Sequence, residues 1–472
     1  MELALIFLSL FMFMYLAYKG YSIVLFAPLF AIIAAIGSGY NLMPVYSEIY
    51  MTKAAEYIKT YFPVFLLGAV FAKMMEEAGL ARSIAFSIVR LIGKDKAVLA
   101  VLLGCGILSY GGLSVFVVVF VMYPFTAILF REAGIPKRLI PATLWIGSFT
   151  FAMSALPGSP QIQNILPTAY FGTTTWSAPI IGIVGATAYF LIGWGWISYR
   201  HKKLAKQGEG YGNHLLNEPS PIDNQEMIPW VIAIIPLAVV ILINLLISNP
   251  FHWSWGYHWD INSLEPLRSL NLSLINITVE RISAIWSLVI ALTAGIICTA
   301  IIGRKHFAII SLTKPLNGGT LSSIQAVLNI ASGYAFGSVI TNLPAFQTIK
   351  NGLLHISNIS GSPLLSTIIT TDIMVAFSGG ASAGITIALD MLGRDWLIMA
   401  QSLGMPPEVL HRIICIASAG PDSVPHAGSM VTILMVCGLT HKESYFDLFI
   451  LLLLNSSVAF ICMLFYNLTG LY

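Results

Sequence analysis

The chain has 472 residues, of which 57% are hydrophobic and only 10% charged. Water-soluble chains of this length carry about 25% charged residues, so a string of soluble domains is excluded and a protein embedded in the lipid bilayer is indicated. The 24 Lys and Arg against 21 Asp and Glu leave a net charge of +3, too sparse for a phosphate-binding surface, which excludes nucleic acid as a partner.

The chain opens with an apolar run to Tyr18 that has neither a basic leader nor a small-x-small cleavage site, so a retained first helix is expected. A crossing helix needs about 20 apolar residues. In chain order, full crossings are expected at residues 3–18, 22–37, 62–75, 176–199, 228–247, 282–302, 322–344 and 445–465. Two more crossings are interrupted: residues 139–172 at Leu156-Pro157-Gly158-Ser159-Pro160, and 411–439 between Gly420 and Gly428. Segments 97–130 and 364–392 each carry a central Ser/Gly cluster, with halves too short to span comfortably. Irregular backbone at membrane depth survives only inside protein or beside a water-filled cavity, so both are expected to be re-entrant hairpins. The five cysteines fall singly in apolar runs, away from histidine, so no metal and no other cofactor is expected.

Lys and Arg fix the expected orientation. With both termini outside, seventeen lie inside and seven outside, Arg412 among the outer ones, as the positive-inside rule requires of a multi-pass protein of the cytoplasmic membrane. Residues 200–227 then form a cytoplasmic linker between halves 1–199 and 228–472. An offset of 270 brings Gly134-Ile135-Pro136 onto Gly404-Met405-Pro406 and Gly158-Ser159 onto Gly428-Ser429. Five crossings per half invert one half against the other. The fold class expected is therefore all-α and polytopic, with two inverted repeats, each of five crossings and one hairpin, and a site where broken elements meet at the midplane, as in secondary transporters.

The first hairpin tip reads Ser109-Tyr110-Gly111-Gly112-Leu113-Ser114 and the second Ser378-Gly379-Gly380-Ala381-Ser382-Ala383-Gly384. Glycine admits close backbone approach, and Ser at the start of a returning arm can cap free N–H groups. Helix starts aimed at the midplane suit an anion. Pro157, Gly158 and Ser159 in the first break, with Gly428 and Ser429 in the second, would aim at it from the opposite side. No Lys or Arg occurs between Lys96 and Arg131 or between Lys350 and Arg394, so dipoles, hydroxyls and a proton would have to balance a bound anion. Gln161, Asn164 and Asn342 are the amides placed to hydrogen-bond a hydroxyl-bearing substrate or to bridge helices. Asp372, Asp422 and His426 are intramembrane ionisable residues and the candidates for carrying a proton. Packing and capping are the structural alternatives for all of these. A membrane enzyme is not indicated, since no nucleophile stands with a base.

The stretch Asp422-Ser423-Val424-Pro425-His426-Ala427-Gly428-Ser429, followed by Gly438-Leu439-Thr440-His441-Lys442-Glu443-Ser444-Tyr445, resembles the signature end of the gluconate permease (GntP) family of the ion transporter superfamily, and Pro157-Gly158-Ser159-Pro160 is similar to that family's first break. The resemblance implies a proton-coupled symporter of sugar acids or small hydroxy acids. It also implies a homodimer, with a scaffold domain at the interface and a transport domain that moves as an elevator. The arm Asp372-Ile373-Met374-Val375-Ala376-Phe377 lacks the Arg of gluconate-type members, and the tip is more similar to 3-hydroxybutyrate permeases, which carry Asn rather than Asp on that arm. Neither tip has the Ser-Asn-Thr pattern of sodium sites, so protons are preferred over sodium. A gluconate-like sugar-acid symporter and a cation/proton antiporter using Asp372 and Asp422 are the alternatives.

Overall fold

The computed structural model describes residues 2–19, 21–214, 216–219, 228–268 and 278–472, and among these every regular element is helical. Seven described helices have the length and apolarity to cross a membrane, with shorter apolar helices beside them. This is a polytopic membrane protein.

Helices Glu2–Tyr18, Ile23–Gly37, Pro179–Lys206, Ile235–Ser248, Val279–Ile302, Thr313–Thr341 and His441–Thr469 fall where apolar run length placed them. The third crossing is much longer than residues 62–75. A helix from Leu42 passes through a π-helical turn at Val45–Met51 and continues over Thr52–Glu77. Lys53, Glu56 and Lys59 masked it in the hydropathy reading; Lys53 is held by Glu56 at 3.1 Å and by Asp390 at 3.8 Å.

Both hairpins form. Ala97–Tyr110 returns as Val115–Glu132, and Pro363–Ser378 as Ala381–Ser402. The returning arms, 18 and 22 residues, are longer than expected and rise about 27 and 33 Å at 1.5 Å per residue. Both interrupted crossings form as well. The first runs through Ile140–Phe149, a π-turn at Phe151–Ala155, the break, and Ile162–Phe171; the second through Pro407–Ala417, the break, and Gly428–Cys437. Besides short helical turns such as Arg304–Ile310, two longer helices lie outside the expected elements, Leu80–Ile92 and Phe346–Ser360. At 13 and 15 residues with one buried face each, they are amphipathic and fall below the run length that marks a crossing.

The two halves repeat one order: two helices, a long helix, an amphipathic helix, a hairpin, an interrupted helix and a closing helix. Corresponding long helices meet antiparallel. Tyr57 packs on Tyr334 with ring centroids 5.6 Å apart, while Val70 lies against Gly319, where a Cβ would come within 2.6 Å of the Val70 Cα. The closing helices do the same: Arg200 Nε meets Asp447 at 2.5 Å, and at the other end a Cβ on Gly185 would lie 3.2 Å from the Cys462 sulfur. Each returning arm packs on the second half-helix of the opposite half, Val115–Glu132 on Gly428–Cys437 and Ala381–Ser402 on Ile162–Phe171. The core runs continuously through both halves.

Candidate functional site

Each break clamps the hairpin of its own half. In the first, Gln161 Nε2 donates to the carbonyls of Ser109 at 2.7 Å and Leu113 at 2.8 Å, closing the tip from both ends. Tyr110 donates its hydroxyl to the Pro157 carbonyl at 2.8 Å, and Ser109 donates to Ser148 at 3.2 Å. Gly112 has φ +96°, and a Cβ there would meet the Pro160 ring at 3.1 Å; Gly111 abuts Leu237. Gly158 has φ +78° and lies against the Trp176 ring, so neither turn accepts a side chain. Ser159 donates to the Ala152 carbonyl at 2.7 Å. Ser114 stands at the helix start, but its side chain makes no capping bond.

The second clamp uses titratable groups. Asp422, buried in a short 3-10 turn, accepts the Ala381 N–H at 2.8 Å and so caps the returning arm from a different element. His426 Nε2 lies 2.9 Å from the Ala376 carbonyl near the end of the first arm, with its ring edge against Gly379, whose φ is +66°. Asp422 and His426 thus hold the two ends of one hairpin. Ser429 donates to the Asp422 carbonyl at 3.1 Å, and Ser378 to the Gly380 carbonyl at 3.1 Å. The arms pack closely where Gly384 lies against the Val375 backbone. Gly379, Gly380, His426 and Gly428 are accessible at least in part, whereas the first tip is buried from Gly111 to Leu113.

The two clamps join through the first broken helix. Gln163 Nε2 donates to the Ser382 hydroxyl at 3.1 Å, and Cys415 packs its sulfur 3.3 Å from the Gln163 carbonyl. One residue on, Asn164 donates to the carbonyls of Ser159 and Thr175, both at 2.8 Å, and accepts from Arg412 at 2.9 Å.

Arg412 departs from the charge-based orientation. It sits in half-helix Pro407–Ala417, completely buried, rather than at an exposed outer end of its crossing. Its guanidinium donates to the Ser177 carbonyl from Nε at 2.9 Å and from a terminal nitrogen at 2.7 Å, and to the Thr175 carbonyl at 3.0 Å. A buried cation must be hydrogen-bonded throughout, and here its acceptors are neutral. Beside it His411 bridges Thr173 at 2.7 Å and Asn164 at 3.2 Å. The signal in the sequence was an Arg flanked by Val409-Leu410 and Ile413-Ile414-Cys415-Ile416, too apolar a setting for an exposed helix end.

The other candidates lie apart. Asp372 is on the first arm of the second hairpin, and its Oδ1 is buried without a hydrogen-bond partner. Asn342 turns back onto the Ser338 carbonyl at 2.7 Å, at the exposed end of its own helix. Beside Ser378, between Phe336, Thr341 and Phe377, lies an apolar cavity of about 30 Å³. Among the described residues no group of three His, Cys, Asp or Glu could hold a metal ion.

Away from the crossings, residues 216–219 are strapped to the helix ends. Lys137 holds Glu218 at 2.8 Å, Arg131 pairs with the same carboxylate, and Asn217 donates to the Met435 carbonyl at 2.8 Å. Partial burial works against the Glu218 charge, but Lys137, Tyr211 and Arg131 outweigh it and hold the carboxyl below its usual range.

Two hairpins and two interrupted helices gathered into one cluster in an all-helical, multi-pass frame define a membrane transporter. No family model matches the chain. It is 41% identical over 483 residues, covering the whole of both chains, to the Bacillus subtilis (strain 168) protein named "Uncharacterized transporter YxjC", and it belongs to that transporter family. Its fold is similar to that of the Alcanivorax borkumensis YdaH transporter, whose crystal structure was described as having an unusual topology. The TM-score is 0.56 at 17% identity, over 89% of this chain and 88% of that one. As a transporter the chain is not an enzyme.

Proposed function

We propose that this transporter is a gluconate permease-like symporter that carries a small organic hydroxycarboxylate, such as 3-hydroxybutyrate, together with a proton across the cytoplasmic membrane. In this reading residues 1–199 and 228–472 are inverted repeats with both termini outside, 200–227 is their cytoplasmic linker, and the protein is a homodimer. The antiparallel meeting of corresponding helices and the shared element order support the inversion.

The observation that carries the coupling is the Asp422 bond to the Ala381 N–H at 2.8 Å. The start of a helix is where a carboxylate substrate would bind, and an acidic side chain already occupies it. A proton on Asp422 removes that charge and leaves the donor to an incoming anion, so anion and proton enter together. An unaccompanied carboxylate entering against an inside-negative potential costs about 2.3 kcal/mol per 100 mV, and one proton cancels that cost. His426, on the other end of the same hairpin, would relay the proton. Asp372 would be a further acceptor, and the unpartnered Oδ1 supports that role. The substrate would lie against Ser378, Gly379, Gly380 and Ser382 on one side and the first break, with Pro157 to Gln161, on the other. Ser109 to Ser114, Asn164, Gly428 and Ser429 would shape that site, and Asn342 would border it.

The test is uptake into liposomes holding the purified protein, with gluconate, lactate, pyruvate and 3-hydroxybutyrate offered in turn under an imposed pH gradient. Accumulation of a hydroxycarboxylate that collapses with the gradient is expected. Proton movement without any organic anion would replace this reading with cation/proton antiport.

A further inference from the structure

Arg412 carries a charge that nothing around it cancels. Its donors end on the carbonyls of Ser177 and Thr175 and on the Asn164 side-chain oxygen, all neutral acceptors. These bonds satisfy the guanidinium but leave a net positive charge in the core. The ionisable side chains beside it are Cys415, Tyr110, Cys462 and His411, none of them an acid, and among the described residues no carboxylate pairs with it. Residues 140–171, the first interrupted helix with its break, contain no charged residue at all. A charge taken out of water without a partner of opposite sign is costly, and an ionisable residue inside the membrane marks a substrate path by default.

Arg412 stands directly behind the first break. A Cβ on Gly182 would lie 3.3 Å from Arg412 Nε, 3.2 Å from the Pro157 ring and 2.6 Å from the Ala155 carbonyl, so guanidinium and break meet at one point. Asn164, which donates to the Ser159 carbonyl of the break at 2.8 Å, accepts from the same guanidinium at 2.9 Å. Tyr110 of the first hairpin tip, bonded to the Pro157 carbonyl, lies within reach of the Arg412 charge. Arg412 itself is sealed off from any ligand, so whatever it does there it does through its field. Opposite unit charges about 8–10 Å apart, at an effective dielectric constant of about 20, shift a dissociation constant about tenfold or more.

We infer that Arg412 is the charge-selecting residue of the substrate site: a positioning residue whose field, acting through the first break without contact, makes the site prefer an anion to a neutral molecule of the same shape. This rests on the proposed substrate position against that break and names what selects the charge there. With the site empty, ionised Asp422 offsets Arg412 in net charge. With Asp422 protonated, the substrate carboxylate takes over that part, so the cluster keeps one net charge in both states.

The experiment measures dissociation constants on the full-length purified protein for 3-hydroxybutyrate and lactate and for their neutral amides, 3-hydroxybutanamide and lactamide. Wild type should bind each acid about tenfold or more tightly than its amide. Arg412→Gln should abolish that preference and leave amide binding nearly unchanged. Arg412→Lys keeps the charge while losing part of the bonding, and should keep the preference. Cys462→Asp supplies the missing counter-ion with Arg412 in place and should abolish the preference as well, with Cys462→Asn as the uncharged control; it carries the test if Arg412→Gln does not fold. The acid-to-amide ratio is the readout because a merely structural loss weakens both ligands alike. An acid bound no better than its amide by wild type, or a preference that survives in folded Arg412→Gln or Cys462→Asp, overturns the inference and leaves transport of the acid standing. If neither acid binds, the carboxylate reading falls and the inference falls with it.

Discussion

Asp422 accepts the backbone N–H of Ala381 at 2.8 Å, so the first helical residue of one hairpin arm is capped by an acid from another element. Capping bonds are commonly made by a residue adjoining the helix. Here the cap comes from a distant position in the chain, and whatever changes the charge of Asp422 also changes the hold of the break on the hairpin.

Asp422→Asn keeps an acceptor but can neither bear a charge nor release a proton. The expected result is loss of pH-driven accumulation while exchange of substrate at equal concentrations persists. Counterflow measured beside uphill uptake checks this, and uphill uptake at the wild-type rate would sink the coupling role.

Arg412→Gln removes the guanidinium's bonds to the Ser177 carbonyl, to the Asn164 side-chain oxygen and to the Thr175 carbonyl, of which Thr175 keeps other donors, from Asn164 and the Gly158 N–H. The loss of several charge-assisted hydrogen bonds in the core should cost roughly 3 kcal/mol. Thermal unfolding in detergent should show a clearly lower midpoint, and Arg412→Lys should recover only part of the difference because a single ammonium cannot reach all three acceptors.

Gly319 lies on the backbone of Val70 between the two long antiparallel helices. Gly319→Ala places a methyl group where no flexible side chain can yield, and should destabilise by about 1–3 kcal/mol. Gly318→Ala, next to it, meets only the Lys73 stem at 3.7 Å and should be nearly neutral. The pair of midpoints tests the close approach.

The Glu218 carboxyl is held below its ordinary value of 4.5 by Lys137, Tyr211 and Arg131 against partial burial. A carboxylate with a lowered folded pKa contributes stability that is present above its unfolded value and is lost as pH falls through the folded one. Protease cleavage within residues 209–219 should therefore stay slow at neutral pH and quicken only under acid conditions below about pH 4.5. In Glu218→Gln it should be fast throughout.

Run length and Gly/Ser/Pro punctuation carried most of the fold, because a crossing helix, a hairpin tip and a break each impose a local composition. The helices Leu80–Ile92 and Phe346–Ser360 escaped because a short amphipathic helix has no such run, and the start of Thr52–Glu77 escaped because Lys53 draws its partner, Asp390, from far along the chain. At the site, the ionisable pair Asp422 and His426 could be read as belonging together, since they lie four positions apart. Which groups they touch could not be read, because Ala376 and Ala381 offer only backbone atoms.

The guanidinium of Arg412 closes a ring of carbonyls that belongs wholly to the first half of the chain, at Thr175 and Ser177. During synthesis those carbonyls are laid down more than two hundred residues before the side chain that completes them. That contact between the two halves therefore forms only after residue 412 has been made, however early the carbonyls it bridges are in place.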